Sequence, residues 1–172
     1  VVVIMILAAV FANFVSPYDP EAASWKNQLS PPDANFWFGT DAFGRDILTR
    51  IIFGALTALF DDFTAAFVGA TSGLVLGVAS AYFGGRFDII VQRLVDIVMA
   101  FPLIVLALAV VATLGAGTVN VIIAITIPFI PQCARVVRSS ALAIREIPYV
   151  DAARALGFGH FRIIMRHMVP NV

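Results

Sequence analysis

Few residues in this chain could make or break a covalent bond. The one lysine, Lys26, stands in Ser-Trp-Lys-Asn, so the chain lacks the G-x-x-x-x-G-K-[ST] loop whose lysine reaches nucleotide phosphates. His160 and His167 lie seven apart among arginines and read as interfacial or loop residues rather than a ligand pair. A single cysteine, Cys133, excludes a disulfide framework and a cysteine-based zinc site, and reads as a small buried apolar residue. No catalytic residue, metal ligand or bound cofactor follows. What remains is the chemistry of contact. Arg135, Arg138, Arg145, Arg154, Arg162 and Arg166 crowd one stretch whose only acids are Glu146 and Asp151, and within it residues Tyr149 to Gly157 read Y-V-D-A-A-R-A-L-G. Pro148 suits a first helical turn and Gly157 the left-handed residue past a helix end, which predicts a short helix from Pro148 to Leu156. Tyr149, Ala153 and Leu156 recur on it as an apolar face, and Ala152 with Ala153 leave backbone open to a close partner. An ordinary amphipathic loop helix is the alternative.

The elements that carry this segment are apolar. The 172 residues are 60% hydrophobic and 13% charged with no net charge, and mean hydropathy is +0.95, values that belong to an integral membrane protein. Net neutrality argues against a nucleic-acid partner. Four spans are expected: Val1 to Val15, Leu56 to Phe83, Ile97 to Leu114, and Val119 to Ala134, each approaching the length that crosses about 30 Å of hydrocarbon. The chain opens inside an apolar run and stops at Pro170-Asn171-Val172, so it reads as a fragment: residues 1–15 a truncated first transmembrane helix (or a signal-peptide core), 16–55 an external loop, and 56–172 a transmembrane core incomplete at its C-terminus. Pro128 and Pro131 are expected to kink the last span, which is prolonged past Arg138. By the positive-inside rule the arginine-rich residues 135–170 are cytoplasmic, the turn at Gly115 external, and Trp25, Trp37 and Phe38 belong to the external segment near the headgroups.

Ala65, Gly69, Gly73, Gly77 and Ala81 form an i, i+4 stripe of small residues that lets another helix approach closely, either from this chain or from a partner. Asp61 and Asp62 fall near the external end of their span. Arg93 and Asp96, at i, i+3, predict an intrahelical ion pair, as do Asp46 and Arg50 at i, i+4, while Asp41 is placed to cap the turn after it. The deep parts of the spans carry almost no charge, which suits a wide, weakly selective conduit and not an ion-coupled carrier.

The spacing Asp151, Ala152, Ala153, then Gly157, then Pro170 resembles the E-A-A-x-x-x-G signature of ABC importer permeases, with Asp for the usual Glu. The run from Phe38 to Arg50, which holds Gly39, Thr40, Asp41, Gly44, Arg45 and Asp46, resembles the G-T-D-x-x-G-R-D segment of the C-type permease of dipeptide and oligopeptide importers. Further strings of that family follow in order: Ala81-Tyr-Phe-Gly-Gly-Arg86, Arg93-Leu-Val-Asp96, Phe101-Pro102, Ala134-Arg-Val-Val-Arg138 and Arg166-His-Met-Val-Pro-Asn171. Leu56 and Ile130 depart from the usual Arg and Trp. The resemblance implies an all-α polytopic bundle of the type I ABC importer permease kind in the inner membrane of a prokaryote. It implies a coupling helix, with Tyr149, Asp151, Ala152, Ala153, Leu156 and Gly157 facing an ATPase. It also implies a second related permease, two ATPase subunits that use the ATP, and an external peptide-binding protein. Nickel, glutathione or another small solute is the alternative cargo. An ion-coupled secondary transporter or a membrane-embedded enzyme is the rival class; neither midplane charges nor a nucleophile–base pair within a span supports them.

Overall fold

The computed structural model describes residues 2–172, so Val1, the first residue of the first expected span, lies outside it. The described residues form helices and loops, with one isolated bridge between Thr40 and Asp46 and no strand. The chain divides into two units, the first ending at Asp62 and the second running from Phe63 to Val172.

The first unit holds α1 (Val2–Val10), α2 (Ala12–Val15), a loop with one 3-10 turn at Trp25–Asn27, and the beginning of α3 (Ile47–Phe83). Residues 2–15 therefore form two short helices. The loop is pinned to the start of α3, where the Asp46 carboxylate accepts the Thr49 N–H at 2.8 Å and so satisfies one of the free donors of a helix start. Thr49 is fully buried, and its hydroxyl meets that of Ser16 at 3.1 Å.

The second unit holds the remainder of α3, α4 (Gly85–Met99), α5 (Leu103–Leu114), α6 (Thr118–Arg145), α7 (Pro148–Ala155) and α8 (His160–Ile163), then a π-helical turn at Ile164–Met168 and a 3-10 turn at Val169–Asn171. Among the described residues, α3 with 37 residues and α6 with 28 are long and apolar enough to cross a membrane. Four spans were expected; the first is split into helices of nine and four residues, and the third differs too. Residues 97–114 are not one helix: α4 and α5 meet at a bend of 84°, which makes at most one broken span and a total of up to three. Pro102 is the cause, because it lacks an N–H and disfavours helical backbone at Phe101. Alone, α5 with its 12 residues rises about 18 Å, short of the hydrocarbon thickness. α6, by contrast, continues through Pro128 and Pro131.

The small-residue stripe finds its neighbour in this chain. A Cβ added at Gly69 would stand 2.5 Å from the Phe129 ring, at Gly73 2.5 Å from the Cys133 Cβ, and at Gly77 2.6 Å from the Ala134 carbonyl, so α3 and α6 touch along these glycines. Ala65 and Ala81, at the two ends of the stripe, are fully buried. Cys133 is half-buried in this contact. Small side chains are needed because, within lipid, close van der Waals contact rather than water exclusion joins the helices.

Candidate functional site

Local rules set α7. Pro148 occupies its first turn, and Gly157 ends it with φ +74°. The Phe158 N–H reaches the Ala153 carbonyl at 3.2 Å and the Gly157 N–H that of Arg154 at 2.9 Å, the paired closure that follows a left-handed residue at a helix end. Asp151 and Arg154 pair at 3.1 Å along the surface.

Of the residues expected to face a partner, Tyr149, Asp151, Ala152, Leu156 and Gly157 are exposed and Ala153 alone turns inward. Val150 and Ala153, i and i+3, point inward and are almost wholly buried in a cluster with Val78, Ala81, Tyr82, Ala141, Ile144, Ile163 and Met168. Ala153 thus packs within its own chain and offers no open backbone to a partner. Tyr149, Ala152 and Leu156, i, i+3 and i+7, form the outward face, with Leu156 73% exposed. Phe161 continues this apolar surface. Tyr149 also donates to the His167 carbonyl at 2.9 Å, tying α7 to the turn that follows α8.

Polar bonds fasten the same region to the long helices. The Tyr82 hydroxyl lies 2.8 Å from His160 Nδ1, and the Arg154 guanidinium stands 5.2 Å from the centre of the Tyr82 ring. Arg145 donates to the Ala81 carbonyl at 2.8 Å. Arg138 on α6 grips Asp88 on α4 with two bonds of 2.7 and 2.5 Å, while the Ser80 hydroxyl donates to the same carboxylate. Asp96, expected to pair with Arg93, instead meets Arg135 on α6 at 2.6 Å. The reason is packing: Val91 and Val95 bury themselves against Ala134, which turns both acids of this face of α4 toward α6. The two ion pairs flank that apolar strip.

The motif of the first unit closes around Asp41. Its carboxylate accepts the N–H groups of Phe43 at 2.8 Å and Arg45 at 3.0 Å, the Arg45 side chain at 2.9 Å and Arg50 at 2.6 Å. Arg50 therefore pairs with Asp41, not with Asp46, whose carboxylate is buried at the start of α3 with one oxygen on the Thr49 N–H. Thr40 accepts the Ser30 N–H at 2.9 Å and donates to the Asn27 carbonyl. Gly44, at φ +71°, lies so close to the Ser24 carbonyl that an added Cβ would overlap its oxygen, so no other residue fits. Gly39 approaches Ser30 in the same manner.

Residues 73–172 match the family described as binding-protein-dependent transport system inner membrane component. The chain belongs to that family. Residues 1–32 match the N-terminal transmembrane domain of oligopeptide transport permease C. A protein of Brucella suis biovar 1 named as a peptide transport system permease is 46% identical over 168 residues, covering 98% of this chain and 56% of the relative. The glutathione transport system permease protein GsiD of Escherichia coli O157:H7 is 40% identical over 171 residues, covering 99% and 56%. The chain spans about half the length of these curated relatives. As an all-helical member of a transport permease family with apolar spanning helices, it is a multi-pass membrane protein. The roles of Tyr82, Asp88 and Val150 were missed in the sequence, whereas His160, read as an interfacial or loop residue, meets Tyr82. Asp88 carried a signal, being the one acid in the first turn of α4, but its partner lies 50 residues away.

Proposed function

We propose that this protein is a permease subunit of an ATP-driven importer that moves dipeptides or oligopeptides across the cytoplasmic membrane of a prokaryote. The observation that carries the reading is α7: a short helix whose inner face is locked to α3 and α6 while its outer face, Tyr149, Ala152 and Leu156, is left open. Such a piece transmits a push without absorbing it. By the positive-inside rule the six arginines from Arg135 to Arg166 support an external Asp41 loop and an α7 on the cytoplasmic side. There the outer face meets an ATPase subunit. ATP is bound and hydrolysed on two such partners, a second related permease completes the conduit, an external binding protein delivers the peptide, and this chain itself holds no cofactor. Closure of the ATPases displaces α7, and the long helices exchange inward-open for outward-open access. Glutathione is a second candidate cargo, supported by the likeness to GsiD.

Leu156→Glu in the full-length chain, assembled with its ATPases and binding protein, tests the reading. Leu156 is 73% exposed, so membrane abundance and thermal unfolding should match wild type. Uptake and binding-protein-stimulated ATP hydrolysis should be lost, because an unpartnered carboxylate is buried in the contact. Wild-type uptake by this variant would remove α7 as the coupling element.

A further inference from the structure

α6 presents a second outward face that the docking role of α7 does not use. Gln132, Arg135, Val136 and Ser139, at i, i+3, i+4 and i+7, are all exposed. Gln132 lies about 21 Å along the helix axis from Thr118, within the expected span and one turn short of Arg135, where the arginine-rich end begins. Its amide carries two donors and an acceptor, and among the described residues it makes no hydrogen bond. Turned to lipid, such a group costs free energy that a leucine there would not. Gln132 also stands in a shallow cleft of about 330 Å³ whose other walls are Ala70, Phe129, Cys133, Val136 and Val137. An apolar cleft with one polar group is the composition of a small-molecule site. From it, Arg135 and Ser139 continue the polar track toward the arginine-rich end.

We infer that this cleft is a contact point for the solute on its way through the conduit, and that Gln132 recognises a peptide bond. The side-chain amide offers the donor and acceptor that pair with the N–H and C=O of any peptide unit, whatever side chains flank it, and the apolar walls take a small side chain without selecting it. Peptides and glutathione, after which these relatives are named, share that amide chemistry. Arg135 is half-exposed and held by Asp96, so its charge is neutralised and the track stays passable to a zwitterion. This inference rests on the permease reading.

The test uses the full-length chain in its assembled transporter, with Cys133→Ala as background and trialanine as the probe. Gln132→Cys should react with a charged, membrane-impermeant methanethiosulfonate reagent, and trialanine delivered by the binding protein should slow that reaction severalfold. Gln132→Leu should lower trialanine uptake about three- to tenfold at unchanged membrane abundance, the factor that one neutral hydrogen bond supplies, and Gln132→Asn should retain more of the rate. A cysteine that reacts only with lipid-soluble maleimides would mean the face meets lipid. One that resists both reagents and cross-links to another helix would mean a protein contact. Reaction without protection by trialanine would mean water but no peptide site, and each of these results overturns the inference. A wild-type transporter that carries no peptide would instead overturn the permease reading.

Discussion

Asp41 gathers two backbone and two arginine donors on one carboxylate, and this sets its proton affinity. Desolvation pushes the carboxyl up, but the N–H groups of Arg45 and Phe43, followed by the Arg45 guanidinium, outweigh it and hold the carboxyl at about 2 rather than 3.8. A carboxyl depressed by folding contributes stability above its unfolded value and loses it as pH falls through the folded one. The loop should therefore keep its amide protection at Phe43 and Arg45 down to about pH 4 and lose it between there and about pH 2, as read by hydrogen exchange. Asp41→Ala should expose those amides at neutral pH. Unchanged exchange in that variant would show that Gly44 and Thr40 hold the loop without the carboxylate.

At the scale of elements, two contacts fix how the helices move together. The α3–α6 contact has no spare space: a single Cβ at position 73 already falls 3.0 Å from the Ala134 nitrogen. Gly73→Leu should lower stability by about 1–3 kcal/mol through overpacking and shift thermal unfolding in detergent downward. Normal unfolding with leucine there would mean that the two helices part readily. The α4–α6 contact adds charge to its apolar strip. Asp88→Ala leaves the Arg138 guanidinium, 28% exposed, without its carboxylate and should cost about 1–3 kcal/mol. Reversing the pair, Asp88→Arg with Arg138→Asp, should recover part of this loss but not all, since the Ser80 hydroxyl donates to the aspartate at its native place. Identical stability of the single and double variants would show that the charges do not couple.

For the whole molecule, the proposed orientation makes a direct demand. With Cys133→Ala as background, a cysteine replacing Ala155 in the full-length protein should be labelled only from the cytoplasm, and one replacing Lys26 only from outside. Both positions are exposed, so access rather than packing decides the result. Reversed labelling would remove the importer reading, because α7 could not then meet an ATPase.

Elements governed by neighbouring residues are legible in the sequence itself. Pro148 and Gly157 bound α7, and the hydropathy of the chain required spanning helices, because caps and transfer from water act over a few residues at a time. The Gly69, Gly73, Gly77 stripe announced a close helix contact but could not say with what; the answer, α6, lies about sixty residues further along. Spacing gives a helix its period and leaves its rotation open. That is why Ala153 looked equally fit to face a partner and faces the core, and why Asp96 chose Arg135, 39 residues away, over Arg93 on its own helix. Arg50 likewise meets Asp41 and not Asp46, whose carboxylate is buried at the start of α3. For α4 and α7 the burial of Val91, Val95 and Val150 sets the rotation of the helix, and a polar side chain such as Asp96 takes the partner which that rotation brings within reach. Only the packed tertiary structure settles that rotation.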